Sequence, residues 1–123
     1  MQKITPHLSW RADTCSVYLL RDGDRGLLID CGTDLRPDDL VNATGVRVDR
    51  LLLTHFHRDQ CSGVAQWQAA GAQATIPFAE RRFFEESDLL RASYDIFDNY
   101  TAYYPTSSPV SYTHLTLPTS DLV

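Results

Sequence analysis

Leu51-Leu52-Leu53-Thr54-His55-Phe56-His57-Arg58-Asp59-Gln60 is the stretch that decides how this chain is read. Three leucines in succession, bounded by Asp49 and Arg50 before and by polar residues after, predict a strand buried on both faces. The apolar run stops abruptly and delivers two imidazoles and a carboxylate. Side chains two apart on an extended chain point the same way. His55, His57 and Asp59 are therefore expected to converge just past the strand's C-terminal end, where open sheets place their ligand sites. Imidazole nitrogen and carboxylate oxygen are the donor set of zinc and similar divalent ions.

Outward from that stretch, the segments on either side alternate between strand and helix signals. Upstream, Val17, Leu19 and Leu20 lead into Arg21-Asp22-Gly23-Asp24, and Leu27-Leu28-Ile29 follows. Asp-Gly between apolar runs predicts a β-hairpin over residues 14–31. Pro37 suits the first position of a helix whose first turn holds Asp38 and Asp39 and whose end falls near Ala43, with Gly45 as a left-handed cap. Val46 and Val48 continue into the leucine strand. Downstream, Ser62 is expected to cap a helix running to about Ala70, stopped by Gly71, with a strand at Ala74-Thr75-Ile76. Strand, helix, strand in that order is a βαβ unit with parallel strands. The periodicity alone gives an α/β chain with a mixed sheet.

Residues 79–86 read as helical, and a further helix from Ser87 carries Leu89, Leu90, Ser93, Ile96, Phe97 and Tyr100 at spacings of three and four. Tyr94, Tyr100, Tyr103 and Tyr104 are read as packing residues rather than as a pocket lining. The final stretch, residues 107–123, breaks character. It has a single charge, no clear period, and resembles the peptide produced when sequencing-adapter DNA is translated onto a shortened reading frame. A genuine extended strand is the alternative. Residues 1–106 are thus expected to form the domain and 107–123 a non-native or disordered tail, with His114 and His7 given no role.

Composition bounds the rest. The 123 residues make at most one domain, and 43% hydrophobic content suffices for a core. A net charge of −5 with scattered basic residues argues against nucleic acid as a partner. No apolar run approaches the ~20 residues of a membrane span, and residues 1–10 lack a signal-peptide core. Cys15, Cys31 and Cys61 form no C-x-x-C pair and read as reduced thiols of a cytoplasmic protein.

Thr54-His55-Phe56-His57-Arg58-Asp59-Gln60 resembles the T-H-x-H-x-D-H signature of metallo-β-lactamase-fold hydrolases, and Leu28-Ile29-Asp30-Cys31-Gly32-Thr33 is similar to the L-I-D-x-G strand that precedes it. The resemblance covers residues 14–104, the first part of that family's domain. It implies the first half of an αββα sandwich, two sheets packed between helices. It also implies metal-dependent hydrolysis of an ester, thioester, lactone or related bond of a small-molecule substrate, through a metal-bound hydroxide. On that resemblance His55 and His57 hold a first metal, zinc with Fe2+ or Mn2+ as alternatives. Asp59 serves a second metal or the attacking water, and Asp30 supports the metal loop from behind. Gln60 stands where the signature has a third histidine. An amide oxygen is a poorer zinc donor than imidazole, so one tight site and a weak or absent second one are expected. The family's remaining ligands, a His, an Asp and a further His, lie far downstream, and residues 61–106 contain no histidine. The expectation is a truncated fragment, inactive alone, with an exposed apolar face open to self-association. A non-catalytic binding or assembly module with a vestigial site is the alternative.

Overall fold

In the computed structural model, residues 1–86 and 112–115 are described, except for the side chains of Arg58, Asp59 and 112–115. The helix and aromatic residues expected over 87–104 lie outside them. Twelve elements follow in order: β1 (Gln2–Lys3), β2 (Leu8–Ala12), β3 (Ser16–Asp22), β4 (Arg25–Ile29), α1 (Pro37–Thr44), β5 (Arg47–Leu52), α2 (Arg58–Cys61), α3 (Val64–Ala69), β6 (Gln73–Pro77), a 3-10 turn (Phe78–Glu80), α4 (Arg81–Glu85) and β7 (Tyr112–Leu115). Their strands form a seven-stranded sheet ordered as in the sequence.

The sheet changes direction once. The pairings from β1 through β4 are antiparallel, and those from β4 through β7 are parallel. The hairpin turn is Gly23-Asp24, with Asp22 opposite Arg25 and Gly23 at φ 63°. This is the two-residue loop that the right-handed strand twist favours. Helix α1 starts on Pro37 and ends at Gly45, which is left-handed and returns its N–H to the Val41 carbonyl. Strands β1 and β2 are additions that the hydrophobic pattern did not announce. Leu8–Ala12 alternates only weakly between buried and half-buried, so little period-2 signal reaches the sequence.

The core lies on one side of the sheet. Along β3, Val17 and Leu19 are 0% and 1% exposed while Tyr18 and Leu20 are 36% and 42%. Val17, Leu19, Leu28, Leu51, Ala74 and Ile76 join Leu40 of α1, Val64 and Trp67 of α3 and Phe84 of α4 in one buried cluster. The register puts Trp10, Tyr18, Ile29, Leu52 and Thr75 in line on the opposite face. This corrects the expectation that the leucine strand is buried on both sides. Leu51 and Leu53 are buried and Leu52 is half-buried. An unbroken apolar run hid an alternation, because the second face is apolar too.

The segment after β5 departs from expectation at Ser62. The helix is in two pieces, α2 and α3, and Gly63 occupies the N-cap of α3 with no side-chain cap. The Ser62 hydroxyl instead donates to the Gly32 carbonyl at 3.1 Å and lies 2.7 Å from the Thr33 hydroxyl. It ties the helix start to the loop that follows β4. Tyr112–Leu115, within the stretch expected to be a tail, runs parallel to β6 from Ala74 to Pro77.

Candidate metal centre

The parallel strands β4 and β5 end side by side, Ile29 opposite Leu52, and each delivers a loop to the same end of the sheet. From β5 come Thr54, His55, Phe56 and His57; from β4 come Asp30, Cys31, Gly32 and Thr33. The two loops are hydrogen-bonded to each other. Asp30 N–H donates to the Leu52 carbonyl at 2.8 Å, Cys31 N–H to the Gln60 carbonyl at 3.0 Å and Gly63 N–H to the Gly32 carbonyl at 3.1 Å.

The His55 and His57 rings meet edge to face, with centroids 4.8 Å apart. His57 is exposed and His55 half-buried, so both reach solvent at the strand's end. Asp59 sits in α2, just past His57 in the chain, and its side chain is outside the described residues. Gln60 has a buried amide oxygen, and its main-chain carbonyl accepts from both the N–H and the thiol of Cys31. Among the described residues, no three His, Cys, Asp or Glu side chains gather closely enough to hold a metal ion. The two imidazoles are the nitrogen donors that the end of β5 offers, of the kind that zinc and similar divalent ions take.

Asp30 stands behind this loop. It is 6% exposed and adopts φ 57°, the left-handed region that a residue with a Cβ occupies at a cost of about 1 kcal/mol. Its carboxylate accepts the Thr54 N–H at 2.8 Å and the Thr54 hydroxyl at 2.7 Å.

Three neighbours escaped the sequence reading. Phe56 stacks on Phe83 of α4, with centroids 4.1 Å apart, and meets the His57 ring at 4.7 Å, walling one side of the histidine pair. Glu80 is the second. Burial pushes its carboxyl pKa up, and the nearby His55 and His57 partly offset that rise. Residues 78–85 carry no metal-like spacing, so only the folded chain brings them to the loop. The third is Asp13, whose carboxylate accepts backbone N–H groups of Thr14, Thr33, Asp34 and Leu35 at 2.6–3.1 Å. Partial burial raises the Asp13 pKa, but these four donors outweigh it and hold the carboxyl below its ordinary value.

The three cysteines form no disulfide. Cys61 gives its thiol to the Phe56 and His57 carbonyls at 3.1 Å, so its sulfur braces the loop after β5 from inside. Burial, with the neighbouring Cys61 adding to it, pushes the Cys31 thiol well above its ordinary pKa. None of the described helices is long and apolar enough to cross a membrane.

Comparison with known proteins bears on the family and the fold. The profile of the metallo-beta-lactamase superfamily matches residues 10–116. A curated relative, ribonuclease Z of Haloarcula marismortui, is 38% identical over 69 residues, covering 56% of this chain and 20% of that protein. Among solved structures, TTHA1623 in a di-iron-bound form is 25% identical with a TM-score of 0.59, covering 81% of this chain and 48% of that one. The metallo-beta-lactamase family protein TTHA1429 of Thermus thermophilus is 19% identical with a TM-score of 0.65, covering 94% and 47%. The chain thus spans about a fifth of this curated relative and about half of these structures. The curated relative is by name a ribonuclease, which overturns the exclusion of nucleic acid drawn from net charge. A whole-chain sum of −5 does not report the local charge at any one end of the sheet.

Proposed function

The chain belongs to the metallo-β-lactamase superfamily, and from that premise we propose that it supplies the first part of a metal-dependent hydrolase's active centre. The observation that carries this reading is the contact between the His55 and His57 rings where β5 ends. His55 and His57 bind a divalent ion: zinc, with iron or manganese as alternatives. Such an ion, when bound, acidifies a water toward pKa ~7 and draws charge from the oxygen of the bond to be cleaved.

The chain's own residues do the rest. Asp59, just beyond His57, orients the attacking water and takes its proton. The stacked Phe56 and Phe83 exclude bulk water from one side of the histidine pair. Gln60 contributes little to metal affinity, because its neutral oxygen is a weak donor and is turned inward. The bond hydrolysed is a carboxylic ester, thioester or lactone. The ribonuclease relative favours a second reading, a phosphodiester of RNA. Among the described residues no third side chain joins the two imidazoles, and the chain spans about half the length of the solved structures it resembles.

Dialysis against zinc, iron or manganese, followed by gel filtration and elemental analysis, tests the reading. The purified chain is expected to keep about one ion per molecule, as a single-cation site requires. A cooperatively melting chain that emerges with no metal would instead fit a binding or assembly module built on a vestigial site.

A further inference from the structure

The Thr54 hydroxyl lies between the Asp30 carboxylate and the His55 ring. It donates to Asp30 Oδ2 at 2.7 Å and sits 2.9 Å from His55 Nδ1. A hydroxyl has one proton and two lone pairs. The proton is committed to the carboxylate, so the oxygen can only accept from the imidazole. His55 Nδ1 must then carry a hydrogen, and Nε2 is left with a lone pair. From this order of donors we infer that Thr54 is a positioning residue: with Asp30 behind it, it fixes His55 in the Nδ1–H tautomer and turns Nε2 outward as the metal-binding atom.

Two features of the site support a built arrangement. Asp30 is buried and holds a left-handed backbone conformation that its side chain disfavours. Its other oxygen also grips the Thr54 N–H at 2.8 Å, so the hydroxyl is held in place by its own main chain. A threonine that merely ended the strand would need neither. The inference rests on the proposed reading only for what Nε2 faces; the tautomer is a property of the metal-free chain.

Long-range proton–nitrogen NMR of the metal-free 123-residue chain, at a pH where the imidazoles are neutral, reads the tautomer directly. The wild type and Thr54→Ser are expected to show a protonated Nδ1 and an unprotonated Nε2 at His55. Thr54→Val, which keeps the shape and removes the hydroxyl, is expected to move His55 toward the Nε2–H form that an unrestrained histidine prefers. Cobalt titration should show Thr54→Val binding about 10–100-fold more weakly, the range for partners behind a ligand, and Thr54→Ser close to wild type. A protonated Nε2 in the wild type overturns the inference, and so does an unchanged His55 in a folded Thr54→Val. If the valine variant does not fold, the wild-type spectrum alone decides. A wild type that shows the Nδ1–H tautomer yet binds no cobalt upholds the Thr54 arrangement and defeats the metal reading, so the two failures are distinct.

Discussion

Replacing His57 with alanine is expected to strip the chain of its metal, and replacing Gln60 is not. The two residues lie close together on the same loop and helix start, so this comparison separates ligand chemistry from local folding. His57 presents an exposed imidazole in contact with the His55 ring. Removing it leaves a single histidine, and affinity should fall by more than about 100-fold, beyond what loss of a supporting partner costs. Gln60 offers only a buried neutral oxygen, and its hold on Cys31 runs through its main-chain carbonyl, which alanine keeps. Gln60→Ala should bind within about threefold of wild type, as expected for removal of a poor zinc donor. Competition with a chromophoric chelator measures both. Equal losses would mean that the amide is a ligand in its own right.

The second large effect belongs to the Asp13 clasp on the loop that follows β4. Gly32 has φ 62°, and a Cβ there would lie 2.5 Å from Asp13 Cγ. Alanine at 32 must therefore adopt a disfavoured backbone and also displace the carboxylate that gathers four N–H groups. The backbone term is about 1 kcal/mol. Loosening the Asp13 hydrogen bonds adds about 1–3 kcal/mol. Gly32→Ala should thus lower stability by about 3 kcal/mol. Gly23 is the control: its φ is 63° and nothing lies within 4 Å of a Cβ there, so Gly23→Ala should cost only about 1 kcal/mol. Urea melts of both variants check the difference, and equal costs would show that the clash is relieved freely.

The same clasp sets an acid dependence. The folded Asp13 pKa lies below its unfolded value, which is about 3.9. Its contribution is therefore complete above that value and is lost as pH falls through the lower, folded one. Asp13→Asn should flatten the acid limb of stability against pH while changing the slope above pH ~5 very little.

How far the sequence carried this reading depends on what kind of interaction holds each part. Strand β5, the β3–β4 turn and α1 with its Pro37 start and Gly45 end were legible because each rests on a local rule of backbone geometry. The histidine pair was legible because its spacing is local too. The Asp13 clasp was not, since backbone N–H donors from Thr33 to Leu35 leave no mark on residue type. Ser62 misled for a related reason. Its hydroxyl suits an N-cap, but a tertiary partner at Gly32 claims it. Phe83 and Glu80 reach the site only through the turn after β6, a long-range placement that no spacing records. Net charge was the least informative signal, because it averages over the whole chain and reports no single end of the sheet.

X-ray absorption at the metal edge of the loaded wild-type chain reads the identity of the bound ion's ligands. Two imidazole ligands per ion, both lost from the spectrum of a His55→Ala, His57→Ala double variant, is the predicted result. A bound ion whose spectrum contains no imidazole scattering would contradict it.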